Sequence, residues 1–186
     1  MNEIKDEDLR WQEIEKKDLF KTCIYTVTER KSRSPEGKTG DFYVIDAPDW
    51  AIVIPSMNDR FLMVKQWRHG EKALSIEFPG GVIEKGEAPE AAAARELKEE
   101  TGFTAGKLTQ IGRINPNPAL FSNHVYIYLA EDLKKTSSQN LDEEEFIHYM
   151  EIKKKEVYAK MGSPEYPHAL MASAMAMYLA REVMKG

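Results

Sequence analysis

Three carboxylates stand on one short stretch of this chain at a spacing that can do chemistry. Residues 89–101 read PEAAAARELKEET. These are good helix formers opened by a proline, whose missing N–H costs nothing at a first helical position. Gly102 follows as a C-terminal stop. On such a helix Glu96 stands three residues before Glu99 and four before Glu100, so all three share one face. Like charges at that spacing cost roughly 0.2–0.5 kcal/mol per pair, so the face either points into solvent or holds cations. All-oxygen ligands suit hard ions, Mg²⁺ or Mn²⁺, and not zinc. Divalent ions there would invert the local charge. Gly80 and Gly81 precede the helix, and glycine lets backbone approach a metal or phosphate closely.

The elements that must position this helix are strands. Residues 19–29 (LFKTCIYTVTE) are β-branched and aromatic, and residues 41–45 form a second strand after the turn composition SPEGKTG, giving a hairpin at the front of the chain. Residues 1–18 are mostly polar, with Trp11 the only aromatic anchor. Strands are expected over 51–55 and 60–67 around Met57-Asn58-Asp59, then over 73–78, 107–113, 124–130 and 145–152. NPNPALF (115–121) has two prolines too close for regular structure, and 134–144 is a polar loop. A weak helix is expected over 153–161. A stronger one over 167–184 carries Leu170, Met171, Ala174, Met177, Tyr178 and Val183 as an apolar stripe. Strands, a central helix, more strands and terminal helices argue a mixed sheet between helices, in the α/β class.

Composition narrows the partners. A chain of 186 residues with 42% hydrophobic and 31% charged residues fits one globular domain with a real core. A net charge of −5 with no basic run argues against nucleic acid. No apolar run reaches the ~20 residues needed to span a bilayer, and the charged N-terminus has no apolar signal-peptide core. One cysteine, Cys23, fits a reducing, cytoplasmic compartment.

Spacing adds a resemblance. Gly81, five residues, Glu87, seven residues, Arg95-Glu96-Leu97, one residue, Glu99-Glu100, one residue and Gly102-Phe103 resemble the Nudix box, the signature of the Nudix hydrolases. The resemblance implies the Nudix fold, an α/β/α sandwich with a mixed β-sheet, here preceded by an N-terminal β-hairpin. Residues 1–46 would form the arm and hairpin, and 47–186 the hydrolase domain. It implies Glu96, Glu99, Glu100 and the Gly80 carbonyl as metal ligands. Glu87 and Arg95 would fix the carboxylate rotamers. The run VKQWR (64–68), the run SIEFPGG (75–81) and Pro118, fifteen residues beyond Phe103, resemble the ADP-ribose pyrophosphatases and related nucleoside-diphosphate-sugar hydrolases. NPNPALF departs from the Ser-Pro-Gly type of loop more usual there.

That subfamily implies a phosphate contact by Arg68, whose planar fork suits bidentate binding, and substrate contacts at Pro118 and Phe42. Trp50, Trp11 and Tyr25 rival Phe42 as the platform for the base. Glu77 would accept from base or ribose, or pair with a neighbour. A general base or further metal ligand would come from the acidic loop: Glu145 holds the subfamily's position, with Glu144 and Glu143 as rivals. The resemblance also implies a homodimer in which the hairpin completes the partner's base site. The function expected is metal-dependent hydrolysis of the pyrophosphate bond of a nucleoside diphosphate sugar, best ADP-ribose to AMP and ribose 5-phosphate. The alternatives are a nucleoside triphosphate or dinucleoside polyphosphate hydrolase, and a non-catalytic nucleotide-binding module of the same fold. The four histidines show no ligand spacing and receive no role.

Overall fold

Cross-strand pairing of a charged segment, not hydrophobic alternation, builds the front of the chain. In the computed structural model, which describes residues 5–184, the charged segment Gln12–Lys21 is strand β1. It pairs antiparallel with Thr26–Arg33 (β2), which pairs with Thr39–Asp46 (β3), in the order β1-β2-β3. The hairpin expected there is thus a three-stranded sheet. The single strand expected over 19–29 is broken by a turn. The Thr22 hydroxyl accepts the N–H groups of Ile24 (3.1 Å) and Tyr25 (2.9 Å). The polar segment before it is held extended by the ladder, in which Glu15 lies opposite Lys31 and Lys17 opposite Glu29, while Lys16 lies opposite Arg30. Lys16 also reaches Asp46 at 2.8 Å. No residue of β1 is buried.

The chain to Pro48 and Asn115–Asn123 form one compact unit; Asp49–Ile114 and the chain from His124 form a second. The proline-rich segment therefore belongs with the front sheet. Ile45 N–H donates to the Leu120 carbonyl at 2.7 Å, and the Ser122 hydroxyl to Asp46 at 2.6 Å. Its irregular backbone is closed by the side chains of Asn115 and Asn117, which accept the N–H groups of Asn117 and Ala119.

In the second unit Trp50–Met57 (β4) is apolar on both faces, which demands cover on both sides. It pairs parallel with Val125–Lys135 (β9) and antiparallel with the short Gly80–Val82 (β7). Its end turns into Arg60–Arg68 (β5), which carries Ala73–Glu77 (β6) on one side and His148–Lys153 (β10) on the other. Phe103–Ile114 (β8) pairs antiparallel with β9. Period-two alternation sends Ala51 and Val53 to a cluster with Ala92, Ala93 and Leu97 of the helix Pro89–Thr101 (α1). Ile52 and Ile54 join Val157 of Lys154–Lys160 (α2) and Leu170, Met171, Ala174, Met175 and Tyr178 of Ala169–Val183 (α3). Helices on both faces of a mixed sheet make the α/β/α sandwich.

Three details differ from the sequence reading. β8 and β9 extend beyond 107–113 and 124–130. Met175, not Val183, completes the buried stripe of α3; Val183 lies past the last core contact and is 79% exposed. The last strand starts at His148 instead of Glu145, because Glu145 is held in a turn, its N–H on the Asp142 carbonyl at 3.0 Å. Among the described residues no helix is long and apolar enough to cross a membrane.

Candidate active site

Two glycines let the site form. Gly80 lies opposite Ile52 in the sheet, and a Cβ there would sit 2.2 Å from the Ala51 carbonyl oxygen. A Cβ on Gly81 would sit 2.5 Å from Oε1 of Glu96. Backbone and carboxylate therefore approach at a distance only glycine allows. α1 begins at Pro89 and ends at Gly102, whose φ of 74° is the left-handed cap conformation. It presents Glu96, Glu99 and Glu100 as its spacing requires.

Arg95 organises these carboxylates. A guanidinium has five N–H donors, and Arg95 engages all of them: two on Glu87 (2.9 and 3.0 Å), one each on Glu96 and Glu99 (2.9 Å), and one on the Val82 carbonyl (3.0 Å). Hydrogen bonds from Arg95 hold the Glu87 carboxyl below its ordinary range. The Arg95 guanidinium is itself held charged, first by Glu87. Burial pushes Glu96 up, with repulsion from Glu99 and Glu145 adding and Arg95 opposing. Burial drives Glu100 well above the ordinary range, reinforced by Glu96 and Glu145, although the Gly80 N–H donates to it at 2.9 Å. Among the described residues no three Asp, Glu, His or Cys side chains converge closely enough to hold a metal ion as they stand. Arg95 occupies the acceptors of Glu96 and Glu99 instead. The donor set still fits a hard cation: it is all oxygen, and two of its carboxylates are buried without enough positive charge.

Across the cleft Arg68 makes a bidentate pair with Glu77, at 2.8 and 2.5 Å. Glu77 is fully buried. Burial raises its carboxyl, but the hydrogen bonds and charge of Arg68 outweigh that and hold it low. Glu77 therefore realises the pairing alternative and aims Arg68. The acidic loop is strapped to the end of α1. The Gln139 amide donates to the carbonyls of Glu100 (2.6 Å) and Ile147 (3.1 Å), and Asn140 N–H to that of Glu99 (2.9 Å).

A cleft of about 450 Å³ in the second unit brings together Arg68, Gly80, Arg95, Glu96, Glu100 and Glu145 with Asp142 and His168. Glu99 stands behind it through Arg95, and Glu144 is exposed on the turn, outside the lining. Phe42 and Pro118 belong to the first unit. Phe42 is 44% exposed, with Trp11 edge-on to it at 5.1 Å, and Pro118 is exposed. Sequence reasoning missed Gln139 and His168. A glutamine in a polar loop carries no signal of its own. His168 follows Pro167 at the position before a helix, where a side-chain acceptor is common.

A Gly-Gly turn feeding a helix with this carboxylate pattern, inside an α/β/α sandwich, defines the Nudix class of fold. Residues 47–169 match the NUDIX domain family, and the chain belongs to that family. An ADP-ribose pyrophosphatase of Bacillus subtilis (strain 168) is 32% identical over 175 residues, covering 92% of this chain and 94% of the relative. The ADP compounds hydrolase NudE of Escherichia coli (strain K12) is 30% identical over 135 residues, covering 73% of this chain and 71% of the relative. A crystal structure of an ADP compounds hydrolase superposes with a TM-score of 0.81 at 25% identity, covering 96% of both chains.

Proposed function

We propose that this protein hydrolyses the pyrophosphate bond of a nucleoside diphosphate sugar with a divalent cation, turning ADP-ribose into AMP and ribose 5-phosphate. The observation that carries this reading is the cleft itself. Two buried, under-compensated carboxylates face a bidentately aimed arginine, Arg68, across a space of about 450 Å³. The relatives' names supply the substrate class.

Glu96, Glu99, Glu100 and the Gly80 carbonyl are the ligands we assign to Mg²⁺ or Mn²⁺, with Glu145 as an added oxygen donor. When bound, the cation supplies Lewis-acid charge at the diphosphate and acidifies a water. Arg95 fixes the rotamers of Glu96 and Glu99 through its hydrogen bonds to both and opposes the burial that pushes Glu96 up. Arg68 binds a phosphate, held in its plane by Glu77. Glu145, with Asp142 beside it in the cleft lining, accepts the proton of the attacking water; Glu144, which does not line the cleft, is the weaker candidate. Phe42 and Pro118 complete the base and sugar end.

A homodimer is supported by the front sheet. Its strand β1 buries nothing, and Trp11, Ile14, Leu19, Phe20 and Tyr43 are all exposed there. The free, exposed Cys23 supports a reducing cytoplasm. The test is a substrate panel with and without metal, read as phosphate released from AMP and ribose 5-phosphate by an added phosphatase. Metal-dependent turnover of ADP-ribose is expected. Inertness towards every nucleoside diphosphate sugar would sink the proposal, and pyrophosphate released from a triphosphate instead would move the assignment to triphosphates.

A further inference from the structure

His168 lines the same cleft. It is the residue before α3, and its Nδ1 accepts the Leu170 N–H at 3.2 Å. An imidazole nitrogen that accepts a hydrogen bond carries no proton, and a neutral imidazole has one proton to place. The ring is kept neutral at physiological pH. Burial lowers it below the ordinary histidine range, with Glu77 raising and Arg68 lowering it in smaller measure. The proton therefore sits on Nε2. Backbone geometry at the start of a helix thus fixes a tautomer and leaves one defined N–H donor on a residue of the cleft wall, beside the Arg68–Glu77 pair. No protein acceptor engages Nε2 among the described residues.

We infer that the Nε2–H of His168 donates a hydrogen bond to a phosphate oxygen of the nucleotide bound in the cleft, next to the oxygen held by Arg68. This rests on the function proposed above. His168 is then a substrate-binding residue that adds direction without adding charge. An ionised ring would need Nδ1 as a donor and would break its bond to Leu170. The neutral ring satisfies the helix and the ligand at once.

His168→Asn separates these roles, because the asparagine oxygen replaces Nδ1 as the acceptor of the Leu170 N–H while no donor reaches as far as Nε2. With ADP-ribose and metal, His168→Asn is expected to raise KM about tenfold, the scale of one lost hydrogen bond to a charged group, with kcat nearly unchanged and Tm retained. His168→Ala should show the same KM and a Tm lower by a few degrees, since the cap is lost as well. NMR of the imidazole nitrogens in the wild-type protein is the second measurement: Nε2 protonated, Nδ1 bare, and the Nε2–H proton moving downfield when ADP is added. A KM for His168→Asn within twofold of wild type, or a ring protonated on Nδ1, or an Nε2–H indifferent to ADP, overturns the inference. If wild type turns over no nucleoside diphosphate sugar, the functional reading fails by itself, and the response of Nε2–H to ADP still decides the role of His168.

Discussion

At the scale of single residues, Arg95 and Glu100 divide the electrostatics of the site. Arg95 donates to Glu87, Glu96 and Glu99, and Glu100 is left buried with only a backbone N–H. Its folded pKa is raised by burial. In the metal-free protein the ionised form is therefore the costly one, so stability falls as pH rises from the ordinary carboxylate range through the raised value. A cation reverses that cost and needs the carboxylate ionised. Mg²⁺ or Mn²⁺ should accordingly raise Tm more at pH 8 than at pH 5, as scanning calorimetry can check; an equal rise at both would count against Glu100 as a ligand. Glu100→Gln removes the ligand charge while keeping the shape. It should reduce turnover by at least about a hundredfold with circular dichroism unchanged. The Arg68–Glu77 pair is a different kind of contact. Glu77→Gln leaves a guanidinium without its partner and should destabilise the fold by about 2 kcal/mol in urea. That is less than the 3–5 kcal/mol of a fully buried pair, because the Arg68 side chain is 39% exposed.

At the scale of elements, the strand–Gly-Gly–helix unit is what brings backbone and carboxylates together. Gly81→Ala puts a Cβ 2.5 Å from a movable carboxylate oxygen, so the protein should fold and lose metal affinity, seen by titration calorimetry. Gly80→Ala puts one 2.2 Å from a strand carbonyl, which cannot yield. It should cost several kcal/mol of stability, as overpacking against backbone does. α1 was legible in the sequence because its signals are local: Pro89 at the start, Gly102 at the end, and a 3.6 period between them. β4 was legible as a continuous apolar run. β1 was not, since its charged residues become a strand only by pairing with β2. The start of β10 was misplaced for a related reason: Glu145 closes a turn with Asp142 that composition cannot distinguish from strand. The straps of Gln139 and the tautomer of His168 depend on which carbonyl or amide lies within reach, and a sequence does not carry that information.

At the scale of the molecule, the family and its sandwich fold were readable from the box, and residues 47–169 bear this out. The proposed homodimer would have the front sheet of one subunit, with Phe42 and Pro118, supply the base and sugar end of its partner's site. Light scattering should return twice the 21.3 kDa of one chain, and a fully active monomer would rule out the dimer. The proposal as a whole turns on what the cleft hydrolyses. The most direct measurement is the product profile of ADP-ribose incubated with the protein and Mg²⁺ or Mn²⁺. AMP and ribose 5-phosphate formed only with metal, and lost in Glu100→Gln, are the predicted result. ADP-ribose left intact with either metal, or cleaved equally well by Glu100→Gln, would contradict it.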